Sequence, residues 1–340
     1  MRFNSPYFYL AFFLILNIFN FVDRNLLIAF APQIKSEFNL TNVQWGLLTG
    51  VYFLFFYSVF GIFMGVLGDK FSRMKIAAAG VFLWSLMTAV TGIAKNFSHL
   101  IFARALIGVG ESALTPNAIS MLSDLFKQNQ RGTASAIYYL GIPLGVGFGM
   151  LIAAFFGPIF GWRAVFIFLG LIGMGLGILT YFLFEPIRGQ LDINFDKTSK
   201  PNSIKDILSM TKSALYNSKC LTFVIIGSIF LHIPLGAGNF EVLWAVNERG
   251  FTASSYNSLF GFLFIIGGTV GALAGGILSD RLSHYFKGGV MTFLVISYII
   301  LTPLTVSYRF ISPDSNFFYF TLFFVSFNVC LLYTSPSPRD

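Results

Sequence analysis

Ten long apolar stretches separated by polar segments set the pattern of this chain. Each is long enough for a membrane-spanning helix, which needs about 20 mainly apolar residues. None alternates with the period of two that barrel strands require. Because lipid offers backbone groups no hydrogen-bond partner, we predict that all ten are helices. The predicted spans are 7–31, 43–67, 75–94, 98–122, 133–157, 163–184, 220–246, 255–278, 288–308 and 316 to the end.

A longer polar segment, residues 185–219, divides the spans into six before it and four after it. We therefore predict an N-terminal six-helix bundle over 1–184, a cytoplasmic linker over 185–219, and a partial four-helix C-terminal bundle over 220–329. From Ser203 the apolar positions recur at near-helical spacing with lysines between them. This spacing favours an amphipathic helix at the membrane interface, and a plain linker is the alternative.

The last eleven residues, 330–340, break off the tenth span abruptly. From Cys330 onwards they resemble the conceptual translation of a sequencing adapter. Residues of that origin carry no information about the native fold. A native proline-rich tail is the alternative. With the adapter interpretation, we expect the chain to be a fragment whose second half is two helices short.

Composition and charge support a membrane protein. The chain is 56% hydrophobic and 11% charged, whereas soluble domains carry about 25% charged residues. A net charge of +8 suggests nucleic-acid binding in a soluble protein. Here, however, Lys and Arg concentrate in alternate loops, as the positive-inside rule describes. The charge pattern therefore predicts a cytoplasmic N-terminus and no nucleic-acid partner.

The two halves of the chain carry related motifs. The sequence GVLGDK follows the second span, and GILSDR follows the eighth, 211 residues later. Each motif places an acid beside a base at the end of a span, where both can interact with helix ends. Internal repeats of this kind are typical of transporters. The predicted cytoplasmic latch consists of Gly65, Asp69, Lys70, Arg73, Asp280 and Arg281.

Charged residues inside the spans are the candidates for function, because a charge at the bilayer centre costs at least about 2.5 kcal/mol. The first span holds Asp23 and Arg24, and one face of the fourth span holds Arg104 and Glu111. Asp23 and Glu111 are the candidate proton carriers. A structural ion pair between two helices is the alternative. The predicted substrate cavity is lined by Asn20, Arg24, Arg104, Glu111, Thr115 and Asn239.

Enzymatic motifs are missing from the sequence. It contains no nucleophile elbow, phosphate-binding loop or His-rich metal spacing. Its two cysteines, Cys220 and Cys330, suggest neither a disulfide framework nor a metal cluster. We therefore predict no catalytic residue, no metal and no cofactor, with a proton gradient as the source of energy.

Four segments resemble, in this order, the spinster-like family of the major facilitator superfamily: FVDRNLLIAFAPQIKSEF, GVLGDKFSRMKIAAAG, FARALIGVGESALTPNAISMLSDLF and IYYLGIPLGVGFG. The resemblance implies an all-α membrane fold of two six-helix bundles, here truncated to about ten helices. It implies proton-coupled transport of a lysophospholipid or related amphiphile. It also implies Asp23 as the protonation site, Arg24 as its switch partner, and Arg104 and Glu111 as cavity residues. Ser72 departs from the superfamily pattern, which usually has glycine there.

The sequence thus predicts a proton-coupled secondary transporter in a bacterial inner membrane, working by alternating access. Its expected partners are an amphipathic small molecule and the lipid bilayer, and the expected state is a monomer. Three alternatives stay open: a major facilitator transporter of a small organic anion or sugar, a membrane-embedded lipid-modifying enzyme, and a non-transporting receptor.

Overall fold

The computed structural model describes residues 5–191, 216–282 and 289–333, with the single positions 209, 213, 214 and 285. Within these residues every regular element is a helix, as a lipid-embedded backbone requires. The helices are α1 (Pro6–Ala29), α2 (Ala31–Glu37), α3 (Asn42–Gly46), α4 (Tyr52–Lys70), α5 (Arg73–Gly92), α6 (Phe97–Glu111), α7 (Leu114–Leu125), α8 (Arg131–Tyr139), α9 (Gly141–Tyr181), α10 (Lys219–Ala237), α11 (Glu241–Arg249), α12 (Ala253–Leu282), α13 (Gly289–Ser307) and α14 (Asn316–Tyr333).

The helices reproduce the ten predicted spans. Among the described residues, six helical stretches are long and apolar enough to cross a membrane, and two shorter apolar helices are Thr292–Ser307 and Asn316–Leu331. One of the six, Arg131–Tyr181, covers two predicted spans. Gly161, with a φ of 75°, marks the kink between them. The span predicted at 220–246 is helical through α10 and α11. The all-α fold prediction is confirmed.

The predicted linker and tail fall largely outside the described residues. Within the expected interfacial helix from Ser203, the described positions 209, 213, 214, 216 and 217 are helical. Of the expected adapter-derived tail, residues 330–333 belong to α14, and the rest lies outside the described residues. Both assignments stay predictions, as do the boundaries of the two bundles.

Several of the predicted spans are interrupted within the described residues. In the second, a π-helical turn at Leu47–Val51 joins α3 to α4. In the fourth, a turn at residues 112–113 separates α6 from α7, because Pro116 lacks the N–H that would bond the carbonyl of Ser112. In the fifth, a turn at Leu140 separates α8 from α9. In the seventh, a 3-10 turn at Gly238–Phe240 separates α10 from α11. Interruptions of this kind often mark functional sites.

The chain forms two compact units. Unit 1 comprises Met1–Phe30, Phe126–Gly161 and Ala245–Asp340, and unit 2 comprises Ala31–Leu125 and Trp162–Trp244. Unit 1 therefore contains α1, α8, the first part of α9, and α12 to α14. Unit 2 contains α2 to α7, the rest of α9, and α10.

Unit 1 packs its helices through glycines. On α9, a Cβ at Gly145 would lie 2.5 Å from the Cβ of Phe21 and 2.6 Å from the carbonyl oxygen of Ile18. α12 packs against α14 in the same way. A Cβ at Gly267 would lie 3.0 Å from the carbonyl oxygen of Phe323. Small residues thus allow close helix approach, as their spacing of four in the sequence indicates.

Unit 2 encloses α6, which packs against both α4 and α5. A Cβ at Gly108 would lie 2.7 Å from the carbonyl oxygen of Phe53 on α4. On another side of α6, a Cβ at Gly110 would lie 2.7 Å from the backbone nitrogen of Trp84 on α5. The faces of α6 that carry Gly108 and Gly110 are therefore in close contact with the neighbouring helices.

Candidate functional site

Two charged side chains of α6 are buried inside unit 2. Asn96 precedes the helix, and its side chain caps it by accepting a hydrogen bond from the N–H of His99 at 2.9 Å. Arg104 is 4% exposed, and its guanidinium carbon lies 4.5 Å from the centre of the Phe53 ring. Glu111, 1% exposed, is the last residue of the helix. A desolvated cation on an aromatic face gains about 2 kcal/mol, which partly offsets the burial of the arginine.

The break after Glu111 changes the predicted cavity face. Arg104 and Glu111 lie within α6 at the predicted spacing, but Thr115 belongs to α7, beyond the turn at residues 112–113. The helical spacing that placed Thr115 on the same face therefore does not hold across the break, because Pro116 interrupts the backbone hydrogen bonds there. Thr115 is half-buried.

The first span carries its own polar group, in unit 1. Asp23 and Asn20 on α1 are 3% and 5% exposed. Arg24 is half-buried, and its Nη2 donates to Oδ1 of Asn20 over 3.5 Å. The guanidinium carbon of Arg24 also lies 4.8 Å from the centre of the Phe21 ring. The structure thus brings the two predicted cavity residues of α1 together, next to a buried acid.

The predicted latch region contains a buried arginine with several partners. Arg73 is the first residue of α5 and follows the end of α4 after a two-residue turn. Its Nη1 bonds Oδ2 of Asp124 at 2.5 Å, and its Nε bonds Oε1 of Glu185 at 3.0 Å. It also donates to Oγ of Ser120 and to the carbonyl of Pro186, both at 3.0 Å. These five residues, named the Arg73 cluster, join α5, α7 and the segment after α9.

The segment after α9 adds a second arginine to this region. Arg188 donates three hydrogen bonds of 2.5 to 2.7 Å to backbone carbonyls at the C-terminal end of α4, where a cation is favoured. Those carbonyls belong to Gly68, Asp69 and Phe71. The N–H of Gly189 bonds Oδ1 of Asp124 at 2.9 Å. These residues were not predicted, because 185–219 was assigned as one linker, although a Glu-Pro-x-Arg run directly after an apolar span could have indicated them.

Charge balance at the Arg73 cluster favours the ionised carboxylate of Glu185. Burial acts to raise the pKa of Glu185, but hydrogen bonds from Ser72 and Arg73 outweigh it and hold the pKa below its usual value. Ser72 also caps α5, since its hydroxyl accepts from the N–H of Lys75 at 3.3 Å. Its backbone is extended, with a φ of −65°, so the serine needs no glycine-like conformation.

The remaining latch residues of the first half surround the cluster. Within the described residues, the carboxylates that bind Arg73 are those of Asp124 and Glu185 rather than that of Asp69. Asp69 and Lys70 are exposed at the end of α4. A pocket of about 470 Å³ opens between α4 and α7. It is lined by Gly61, Ile62, Gly65, Val66, Gly68, Asp69, Arg73, Pro116, Asn117 and Ser120.

The second copy of the motif lies at the end of α12. Arg281 is exposed there, in agreement with Lys70 at the matching position of the first copy. The backbone of Asp280 is helical, and its side chain lies outside the described part of the chain. The latch role of all six predicted residues stays a prediction.

The seventh span places Asn239 in a contact within unit 2. Asn239 lies in the 3-10 turn, and its carbonyl accepts a hydrogen bond from Nε1 of Trp45 on α3 at 2.9 Å. Its side chain is half-buried, and a Cβ at Gly50 would lie 3.9 Å from its Nδ2. The contact to α3 was not predicted, and the cavity role of the Asn239 side chain stays a prediction.

A second arginine cluster, named the Arg163 cluster, lies elsewhere in unit 2. Arg163 bonds Oε1 of Glu37 at 2.6 Å and the carbonyls of Gly92 and Ala94 at 3.0 and 2.7 Å. Trp162 donates its Nε1 to Oε2 of Glu37 at 2.8 Å. The hydrogen bond from Arg163 lowers the pKa of Glu37. Burial acts to raise this pKa, and the hydrogen bond from Trp162 helps to keep it low. The cluster joins the end of α2, the end of α5 and the second part of α9.

The buried groups suit binding and proton exchange. A carboxyl group in apolar surroundings can hold or release a proton as its neighbours change. A guanidinium offers planar donors that match an anionic group. Among the residues that the structure describes, no group of three or more His, Cys, Asp and Glu side chains is placed to hold a metal ion.

Comparison with known families decides the assignment. The family model described as Major Facilitator Superfamily matches residues 13–338, nearly the whole chain. The chain belongs to the Major Facilitator Superfamily. Its helical, multi-pass membrane architecture follows from this membership as well as from the apolar spans.

The relatives of this major facilitator chain include spinster proteins. It is 26% identical over 313 residues to Protein spinster of Drosophila melanogaster, covering 88% of this chain and 50% of that protein. It is 32% identical over 180 residues to Sphingosine-1-phosphate transporter SPNS2 of Danio rerio, covering 52% and 36%. It is 25% identical over 285 residues to the Probable L-galactonate transporter of Escherichia coli (strain K12), covering 80% and 60%. The chain spans about half the length of the first curated relatives that it matches.

A solved structure shares the fold of this major facilitator chain. It is the crystal structure of a bacterial homolog of the human lysosomal transporter Spinster, in an inward-facing and unoccupied conformation. The TM-score is 0.79 at 22% sequence identity, over 96% of this chain and 73% of that one. The predicted resemblance to the spinster-like branch is confirmed by these comparisons.

Proposed function

We propose that this chain acts as a proton-coupled secondary transporter of an amphipathic organic solute such as a lysophospholipid, by alternating access. The observation that carries the proposal is the burial of charge inside apolar spans. Asp23, Arg104 and Glu111 are 3%, 4% and 1% exposed, on helices of membrane-spanning composition. Charge at such depth is costly, and it is retained in membrane proteins chiefly for ion and substrate pathways.

Each buried group has a proposed role. Asp23 and Glu111 are the proton carriers, since a carboxyl group can change its charge within a closed protein environment. Arg24 is the partner of Asp23. Arg104, supported by the Phe53 ring at 4.5 Å, binds the anionic part of the solute. Asn20, Thr115 and Asn239 complete the proposed lining of the cavity.

The latch residues have a proposed conformational role. The Arg73 cluster ties the turn between α4 and α5 to the segment after α9 through one buried cation. A polar cluster of this kind holds one arrangement of the helices and must loosen in another, which suits a transporter that rocks between two states. We assign this role to Gly65, Asp69, Lys70, Arg73, Asp280 and Arg281.

The proposed setting is a bacterial inner membrane, crossed several times by a monomer with its N-terminus in the cytoplasm. The concentration of Lys and Arg in alternate loops supports this orientation. It places the Arg73 cluster at the cytoplasmic side and the Arg163 cluster at the outer side.

Relatives support an amphipathic solute. One is named a sphingosine-1-phosphate transporter, and sphingosine-1-phosphate combines a phosphate with an apolar chain. A second candidate is a small organic anion, which is favoured by the relative named a probable L-galactonate transporter. Both candidates need a buried cation, and Arg104 fits either one.

Transport into liposomes tests the proposal. Protein reconstituted in liposomes is given labelled lysophosphatidylethanolamine, with and without an imposed pH gradient. We expect the gradient to stimulate movement of the label and Asp23→Asn to abolish the stimulation, because an amide cannot carry the proton. Asp314→Asn is the matched control, since Asp314 is an exposed acid outside the spans, and it should transport like the parent protein.

Three outcomes separate the alternatives. Gradient-stimulated transport of lysophosphatidylethanolamine that is lost only in Asp23→Asn supports the proposal in full. Stimulated transport of galactonate but not of the lysolipid supports the second candidate. Transport of either solute whose pH dependence is unchanged in Asp23→Asn contradicts the coupling role of Asp23.

A further inference from the structure

The contact between Trp45 and the turn Gly238–Phe240 joins two interrupted spans at their interruptions. Trp45 lies on α3 directly before the π-helical turn Leu47–Val51, and its Nε1 donates to the carbonyl of Asn239 at 2.9 Å. Asn239 in turn lies in the 3-10 turn between α10 and α11. π-helical and 3-10 segments inside a helix often mark hinges or functional sites. Here each marks the point where one span touches the other.

The Trp45 side of the contact is closed to solvent. Trp45 is 0% exposed, so its indole N–H depends on the Asn239 carbonyl in place of water. Next to it, a Cβ at Gly46 would lie 3.5 Å from Cζ of the Phe240 ring, so the aromatic ring covers α3 where α3 has no side chain. One hydrogen bond and one aromatic ring therefore hold the two spans together at this point.

Local hydrogen bonds fix the α3 side of the contact. A capping box fixes its first turn, with Oγ1 of Thr41 accepting from the N–H of Gln44 at 3.2 Å and Oε1 of Gln44 accepting from the N–H of Thr41 at 2.9 Å. At its other end, the hydroxyl of Thr49 bonds the Trp45 carbonyl at 2.9 Å within the π-helical turn. Hydrogen bonds thus fix α3 on both sides of Trp45.

We propose that Trp45 and the turn Gly238–Phe240 form the outer gate of the translocation path, closed in this structure and opened when the protein faces outward. The inference rests on the transport function and orientation proposed above, which place this end of the second span outside. Trp45 is a positioning residue of the gate: it holds the seventh span against the second, and its single hydrogen bond is what opening must break.

Outer accessibility of Thr49 tests the gate without any substrate. Thr49 is 5% exposed. It lies one turn after Trp45, in the π-helical turn, and is therefore farther along the second span from the loop that precedes α3. In a background with Cys220→Ser and Cys330→Ser, Thr49→Cys is labelled with a membrane-impermeant maleimide in right-side-out vesicles. We expect Trp45→Phe, which keeps a ring and removes the N–H, to raise the labelling rate about two- to tenfold, the factor contributed by one neutral hydrogen bond. In inside-out vesicles the rate should not change.

Trp162→Phe is the matched control. Trp162 also belongs to unit 2 and also donates its indole N–H in a single hydrogen bond, to Glu37 at 2.8 Å, and neither residue belongs to the proposed gate. The gate predicts parental labelling of Thr49→Cys in this variant. Equal labelling rates in Trp45→Phe and Trp162→Phe would overturn it.

A crosslink gives a second test that does not depend on the folding of Trp45→Phe. The pair Gly46→Cys and Phe240→Cys, neither of which belongs to the proposed cavity lining, is joined by a short bifunctional thiol reagent that a reductant can cleave, since a Cβ at position 46 would lie 3.5 Å from Cζ of the Phe240 ring. We expect transport to stop on crosslinking and to return on reduction. Undiminished transport by crosslinked protein would overturn the gate.

The two proposals fail in different ways. A labelling rate that responds to Trp45→Phe, in protein that moves no lysolipid under a pH gradient, supports the gate and contradicts the proposed solute. Gradient-driven transport with a labelling rate that ignores Trp45→Phe contradicts the gate and leaves the proposed function standing.

Discussion

Two arginine clusters in unit 2 use the same chemistry in different surroundings. Arg73 and Arg163 each bind a glutamate and backbone carbonyls and join segments distant in sequence. The side chain of Arg73 is 5% exposed, whereas those of Arg163 and Glu37 are 36% and 42% exposed. Water therefore competes with the Arg163 cluster and hardly reaches the guanidinium of Arg73.

The difference teaches which cluster controls stability. Removing one partner from a buried ion pair costs about 3–5 kcal/mol, because the other charge is left without compensation. Exposed ion pairs contribute about 0–1 kcal/mol, because solvent screens them and holding two side chains costs entropy. Counting hydrogen bonds would rank the two clusters as equals, and burial separates them.

Breaking the Arg73 cluster should give the largest effect. Arg73→Ala removes the cation that pairs with the carboxylates of Asp124 and Glu185. We expect a loss of about 3–5 kcal/mol in the free energy of unfolding. Thermal unfolding in detergent micelles measures it as a lower midpoint. Arg73→Lys should recover only part of the loss, because an ammonium cannot reproduce the planar fork. Full recovery by lysine would show that charge alone matters at this site.

The Arg163 cluster should respond much less. We expect Arg163→Ala to lower the free energy of unfolding by about 1 kcal/mol or less, because the Arg163–Glu37 pair is largely solvated. The same thermal measurement should show that added salt narrows the gap between Arg163→Ala and the parent, since salt screens the exposed pair. A loss as large as that of Arg73→Ala would contradict the role given to burial.

Acid should weaken both clusters. We expect its effect on stability to be smaller than the effects of Arg73→Ala and Arg163→Ala. The pKa values of Glu185 and Glu37 are lowered from 4.5 in the folded protein, so the unfolded chain binds protons first as the pH falls. Their stabilisation is complete above about pH 4.5 and is lost as the pH falls through the folded pKa values. In Glu185→Gln and in Glu37→Gln, the acid-induced drop of the unfolding midpoint should therefore be smaller than in the parent. An unchanged drop in both variants would contradict these shifts.

The motif repeat shows how far sequence comparison reaches. The offset of 211 residues aligns Asp69 with Asp280 and Lys70 with Arg281, and both bases are exposed at the end of a helix. The same offset places His284 where the first copy has Arg73. The two copies therefore share the acid and the base of the motif and differ in the residue type at the position of Arg73.

The candidate site was predicted in part. The burial of Asp23, Arg104 and Glu111 follows from their position inside apolar runs, and the sequence placed all three inside spans. The partners of Arg73 could not be foreseen, because Asp124 and Glu185 are 51 and 112 residues away and only the packing of α7 and the end of α9 brings them close.

The sequence by itself determined that this chain crosses a membrane as helices and where those helices run. The reason is that lipid leaves an apolar chain no other way to pair its backbone groups. Tertiary structure alone decided which polar groups meet: Arg73 with Glu185, Arg188 with the end of α4, and Trp45 with Asn239. A hydrogen bond depends on tenths of an ångström between groups far apart along the chain, and apolar patterning carries no information at that scale.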